Sequence, residues 1–277
     1  QKWIVPQYRN QMEVKYYNTV KDYIPDSIPE VISFNSKANA FAMKWYNPII
    51  YKNWKSELLN NKIHFYKAKQ LAKIVSEVHN KTSNRKIYAS SFSNQKLFDA
   101  IRIDPYFYYT AKKYQEYGQY IINETNSLLS NKKVLVHGDI SPKNILISKK
   151  KIIILDAECA CWGDPAFDIA FCANHFILKS LFLRSFTGVM LNLVTGFVQN
   201  YLQNVKWENI KDIEKRIVRL LPIFLLARID GKSPIEYLNK KQRNITRSFS
   251  LFMLTKKATS FLDFLNYWEK HLEQSNI

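Results

Sequence analysis

The sequence predicts an α+β fold with a small β-containing N-terminal part, a central block of short strands and a large, mainly helical remainder. Three observations lead there. Two strand-like runs, 29–34 and 38–46, flank the polar turn Asn35-Ser36-Lys37 near the start. Three short β-type runs, Val134-Leu135-Val136, Asn144–Ser148 and Lys151–Leu155, cluster in the middle. After Pro165 the apolar spacing turns helical and stays so to the end.

The elements follow in order. Met12, Tyr16, Tyr17 and Val20, with Glu13 and Lys15 between them, predict a short helix over 8–20, ended by Pro25 and Pro29. Asn47-Pro48 closes the second strand-like run, so a boundary is expected there. Ala68, Leu71, Ala72, Val75 and Val78 give the apolar face of a helix over 65–79. A Tyr-rich helix is expected over 106–129. Further helices are expected over 166–184, 187–203 and 207–228, with a last pair spanning 243–273; Pro222 is expected to kink the third.

The chain has 277 residues, 47% of them hydrophobic, with few Gly and Pro, which excludes a disordered or collagen-like chain. No charge-free run of about 18 apolar residues occurs, so no membrane span is expected; the longest candidate, 176–198, is broken by Lys179 and Arg184. Three cysteines, Cys159, Cys161 and Cys172, are an odd number and read as reduced thiols filling core space in a cytoplasmic protein. The formal charge of +18 and a pI near 9.6 would suit a nucleic-acid binder. However, 32 of the 41 basic residues are Lys scattered along the chain, with no sustained basic block. Nucleic acid is therefore not the expected partner.

The chemistry is concentrated in His137-Gly138-Asp139-Ile140-Ser141-Pro142-Lys143-Asn144 and Asp156-Ala157-Glu158. Asp139 sits past the end of one strand, Asn144 at the start of the next, and Asp156 at the end of its neighbour. Asn144 and Asp156 are hard oxygen donors suited to Mg²⁺, which takes few protein ligands. Asp139 is then free to accept a proton from an attacking hydroxyl, and with ATP these are the parts of phosphoryl transfer.

This pattern resembles the aminoglycoside phosphotransferase/choline kinase superfamily of protein-kinase-like small-molecule kinases. His137-Gly138-Asp139, Asn144, Asp156-Ala157-Glu158 and Gly163-Asp164-Pro165-Ala166-Phe167-Asp168 stand in the family's order and spacing. The resemblance implies a two-lobed kinase-like fold, with residues 1–47 a remnant of the ATP-binding lobe and hinge and 48–277 the helical lobe. It implies Asp139 as catalytic base, Lys143 as a charge-neutralising neighbour, and Asn144 and Asp156 as Mg²⁺ ligands. Asp168 and His137 would brace the catalytic loop. Met43, Lys44, Trp45 and Tyr46 would meet the adenine of ATP, over an apolar floor of Leu146 and Leu155. Glu13 would pair with an ATP-binding Lys on preceding strands. The predicted helix starts within ten residues of Gln1, and Lys2 is no substitute for that Lys. The chain is therefore expected to be a fragment of a longer kinase with a truncated N-terminal lobe, weak in ATP binding and turnover.

Asp156 and Asp168 are twelve positions apart, too close to hold a protein kinase's activation segment, so the expected acceptor is a small-molecule hydroxyl. Aminoglycosides, amino-alcohols and sugars remain open, and Asn144 weighs against a methylthioribose kinase. Asp164 reads as a helix cap, and Glu158 as either a second metal contact or a solvated neighbour of Asp156. The stretch 226–238 reads either as a site lining or as a helix end at Gly231. A non-catalytic nucleotide-binding scaffold is the alternative.

Overall fold

The structure is a computed structural model that describes residues 5–256 and 258–275; Lys2 and Trp3 lie outside them. Helix α1 (Arg9–Val20) leads into the antiparallel ribbon β1 (Val31–Asn35) and β2 (Ala40–Met43), paired Phe34 to Phe41. α1 ends well before Pro25, in a turn where Tyr23 and Ile24 both donate to Val20 O. The ribbon is open to solvent along most of its length, with Ile32 67% exposed.

Next come β3 (Lys52–Asn53), α2 (Trp54–Leu59), α3 (Phe65–Thr82), α4 (Lys86–Ser91) and α5 (Gln95–Phe98). The last two are short and carry no helical apolar period, which is why the sequence did not announce them. The helix expected over 106–129 is in fact three pieces. A π-helical segment Asp99–Tyr108 contains Pro105, α6 (Tyr109–Lys113) continues it, and α7 (Gln115–Ser130) starts after a break at Tyr114. The reason is local and tertiary at once. Pro105 cannot donate to the ladder, and the Tyr114 hydroxyl is tied to Asp230 far along the chain. At the fold-back Gly118 lies so close that a Cβ would stand 3.2 Å from Ala111 O.

β4 (Val134–Val136), β5 (Ile145–Ile147), β6 (Ile152–Ile154) and β7 (Cys161–Gly163) make two small antiparallel sheets, β3-β5-β6 and β4-β7. β7 was not expected: its three residues are a strand because β4 pairs with them. The helical body is α8 (Ala166–Phe182), α9 (Thr187–Asn204), α10 (Ile210–Asp230), α11 (Lys240–Thr255) and α12 (Phe261–Gln274). α8 is buried on almost every side and packs between α9 and α10, as its nearly all-apolar sequence requires. α10 continues through Pro222 to Asp230. Gly231 ends it outside the left-handed region; glycine is needed because a Cβ would lie 2.3 Å from Ala227 O.

Among the described residues no single helix is long and apolar enough to cross a membrane. The stretches 166–182 and 184–204 pass that test only as a pair bent by 116°, and α8 and α9 bury their apolar faces in the helical body.

Candidate active site

β4 delivers His137 to the start of the loop that ends at Asn144. Gly138 has φ +79°, and a Cβ there would stand 2.7 Å from Cys159 O. Gly138→Ala is therefore expected to destabilise the protein by about 2–4 kcal/mol through strain and clash together; urea unfolding checks it, and a loss below about 0.5 kcal/mol would contradict the geometry. Asp168, in the first turn of α8, receives the His137 amide on Oδ2 and the Gly138 amide on Oδ1, both at 2.8 Å. His79 Nε2 lies 3.4 Å from the same carboxylate. His137 Nδ1 in turn accepts the Asp139 amide at 3.2 Å. Burial holds the His137 imidazole below its usual pKa.

Asp139 is 2% exposed. Its Oδ2 meets Arg102 Nη2 at 2.8 Å and Lys143 Nζ at 3.0 Å, while Oδ1 is buried with no hydrogen-bond partner. Burial alone would raise this carboxyl, but Arg102 and then Lys143 outweigh it and hold the pKa below the ordinary value. Arg102 comes from the π-helical segment, a conformation found often at functional sites. Its Nε donates to Gly138 O at 2.5 Å and its Nη1 to Ile101 O at 3.0 Å, with the Tyr106 and Phe171 rings beside the guanidinium. Sequence reasoning missed it. The one signal was a basic residue set between Ile101 and Ile103 in a segment of no clear period.

Asn144 Nδ2 donates to Asp139 O at 3.2 Å, which leaves its carbonyl oxygen available. Its backbone O receives the Leu155 amide at 2.9 Å and so ties the loop to the residue before Asp156. Asn53, also unforeseen, donates to Lys143 O at 2.7 Å. Asp156 adopts φ +68°, strained for an aspartate. Its amide is held by Glu13 Oε1 at 3.0 Å and Tyr17 Oη at 2.9 Å, so α1 fixes this turn. Tyr17 Oη donates to Glu13 at 2.7 Å, and burial raises the Glu13 carboxyl. Glu158 is ion-paired to Arg9 at 3.2 Å. Among the described residues no three His, Cys, Asp or Glu side chains converge as a metal cage. The hard oxygens of Asn144 and Asp156 suit an ion that keeps water and phosphate oxygens in its shell.

Of the expected adenine contacts, Lys44, Trp45 and Tyr46 line a cavity of about 540 Å³, shared with Tyr17, Lys21 and Pro29. Met43, Leu146 and Leu155 do not line it; Met43 is exposed and the two leucines are half-buried. Lys44 N donates to Glu30 O, and Trp45 is 73% exposed.

The three thiols are buried, which pushes each pKa up. Asp164 Oδ1 accepts the Ala166 amide in the turn that leads into α8, and burial pushes its carboxyl up to about 6 even with Arg216 Nε 2.8 Å away. In the stretch 226–238, Asp230 is bound by Arg247 at 2.8 Å and Lys113 at 3.3 Å.

Lys179 is the outlier. It is 1% exposed, and burial, then Lys55 and Arg228, lower its pKa to about 7. From pH 7 to 10.5 the unfolded chain keeps this proton and the folded chain has released it, so the penalty on folding falls as pH rises. Lys179→Met is expected to stabilise by roughly 3 kcal/mol at pH 7 and by little at pH 10. Thermal unfolding at both pH values checks this; an equal gain at both would show that the lysine is not buried as a charge.

The family model described as "Phosphotransferase enzyme family" matches residues 109–186, which hold the 137–144 loop, Asp156 and Asp168. No curated protein matches the chain. Among solved structures it is similar to a choline/ethanolamine kinase family protein from Mesorhizobium loti, at 9% identity and TM-score 0.51, covering 96% of this chain and 85% of that one. It is also similar to a Plasmodium vivax ethanolamine kinase, at 16% identity and TM-score 0.49, covering 100% and 73%. A choline kinase from Streptococcus pneumoniae matches at 12% identity and TM-score 0.41, covering 91% and 84%. The matched model thus covers 78 of the 277 residues, those that carry the motif blocks, and the Mesorhizobium loti structure shares the fold of the chain.

Proposed function

We propose that the protein is an ATP- and Mg²⁺-dependent phosphotransferase that moves the γ-phosphoryl group to a hydroxyl of a small molecule. The observation that carries this is Asp139: a buried carboxylate with one oxygen pinned by Arg102 and Lys143 and the other left without a partner. In this reading Asp139 Oδ1 takes the proton of the acceptor hydroxyl as the new O–P bond forms and the β–γ bridge breaks, releasing ADP. Lys143, half-exposed beside it, offsets charge on the moving phosphoryl group. Asn144 and Asp156 would hold Mg²⁺, which when bound supplies charge neutralisation on the nucleotide phosphates. Asp168 and His137 keep the loop in place by the backbone bonds described above, and Glu13 does the same for Asp156.

Residues 1–47 would then be a remnant of the ATP-binding lobe with the hinge, and 48–277 the helical lobe that carries the catalytic and metal-binding loops. Adenine would lie against the Met43–Tyr46 segment, with Leu146 and Leu155 as its floor. The amides of Trp45 and Tyr46, which make no backbone hydrogen bond among the described residues, support that use.

A second reading, a nucleotide-binding scaffold without catalysis, has one observation in its favour: two cations on Asp139 make it a weak base. Phosphorus NMR of the protein with Mg·ATP and a panel of amino-alcohols, sugars and hydroxy acids separates the two. An acceptor-dependent phosphate ester supports the enzyme; bound nucleotide with no ester from any acceptor supports the scaffold.

A further inference from the structure

Two basic side chains near the 137–144 loop, the half-buried Arg228 and the buried Lys179, meet no carboxylate among the described residues. Arg102, Arg216 and Arg247 each meet one, at Asp139, Asp164 and Asp230. Arg228 does not. Its Nη1 rests on neutral acceptors, Tyr106 Oη at 3.2 Å, Ser233 O at 2.5 Å and Ser233 Oγ at 3.1 Å, and its Nε is buried without a partner. Lys179 Nζ has only the His175 carbonyl at 3.4 Å, with the Tyr237 ring 4.9 Å away. Neither takes part in an ion pair among the described residues. The Tyr237 hydroxyl is likewise buried and unpartnered. Lys55 approaches from β3–α2, bonded to the exposed Glu236. Burying a positive charge without a counter-ion is costly, so an anion that reaches Lys179 and Arg228 would relieve that cost.

The cluster adjoins Asp139. The Arg102 guanidinium that holds Asp139 lies over the Tyr106 and Phe171 rings; Tyr106 Oη reaches Arg228, and Phe171 stands edge-on to His175 at 5.4 Å. His175 is driven well below its usual pKa by burial first and then by the neighbouring Arg228, Lys179, Lys143 and Lys55. Glu236 faces Lys179 as well, but it is already engaged by Lys55. A cationic acceptor would be repelled there and an anionic one drawn in, strongly so in a site of low dielectric.

We infer that the acceptor phosphorylated beside Asp139 carries an anionic group, a carboxylate or a phosphate, received by Arg228, Lys179 and Lys55. The inference rests on the phosphotransferase reading for its chemistry, but not for its binding test. Calorimetry on the whole protein compares glycerate, glycerol 3-phosphate, glycerol, ethanolamine and choline, with and without Mg²⁺ and a non-hydrolysable ATP analogue. At least one anion should bind about tenfold or more tighter than glycerol, and the two amines more weakly than glycerol. Glycerate against glycerol 3-phosphate tells carboxylate from phosphate. Arg228→Gln and Lys55→Gln should each remove most of the preference; Lys55 sits at the rim, so its variant serves if Arg228→Gln fails to fold. Equal binding, a preference for the amines, or no binding of either anion overturns the inference. Displacement of the anion by the nucleotide analogue overturns it too, since the cluster would then be a nucleotide phosphate site. Failure of the analogue to bind, with the anion preference intact, counts against the phosphotransferase reading alone.

Discussion

Asp139→Asn is expected to lower kcat by about 10³-fold, within the range that removing a general base costs, while the KM for Mg·ATP changes by no more than about twofold. The asymmetry of the carboxylate is the reason. Oδ2 is committed to Arg102 and Lys143, so the substitution should keep a carbonyl oxygen there for Arg102, and the stability lost with the counter-charge is read separately by unfolding. Oδ1, buried and unpartnered, is the atom available to a hydroxyl proton, and an amide in its place has no basic lone pair to offer. Steady-state kinetics with nucleotide titration checks the split. Turnover within about tenfold of wild type would remove Asp139 from the role of base.

Arg102→Met should destabilise the protein by about 3–5 kcal/mol, because it leaves the Asp139 charge buried beside only one partially exposed cation. The loss is larger than that of an ordinary ion pair because the same guanidinium also holds Gly138 O, the backbone at the strained turn. Adding Asp139→Asn to Arg102→Met should recover about 1–3 kcal/mol, since the charge left stranded is then gone. Denaturant unfolding of the two single variants and the double one measures this. Strict additivity, or a loss below about 1 kcal/mol for Arg102→Met, would mean that Arg102 is not what compensates Asp139. Arg102→Lys keeps the charge but not the fork, and should fall between wild type and Arg102→Met.

Much of the site was legible because its parts are close in sequence. His137 through Asn144 form one loop, and Asp156 and Asp168 follow within a few tens of residues, so spacing alone could propose a joint role. The α8 helix was equally plain, being mostly apolar all round. Arg102, Asn53 and Tyr17 were not legible. Each reaches the loop or Asp156 from elements distant in sequence, and nothing in their local surroundings marks them. The break at Tyr114 was hidden for the same reason: the local pattern is helical, and a contact from Asp230 accompanies the turn that interrupts it.

The polar residues within α8 show where that division falls. Asn174, His175, Lys179 and Ser180 look, along the chain, like interruptions of an apolar helix. Packing gives each a different meaning: Ser180 accepts from Trp268 Nε1 at 3.0 Å, Asn174 bonds its own helix backbone, and His175 and Lys179 come to face Arg228 and Lys55. Sequence by itself determined the α+β class, the helical body and the grouping of the 137–144 loop with its neighbouring carboxylates, because periodicity and short spacing act locally. Only the tertiary structure decided which cations surround Asp139 and which basic side chains meet no carboxylate. Electrostatic pairing depends on distances between residues up to 181 positions apart, as between Lys55 and Glu236, and no local pattern carries that information.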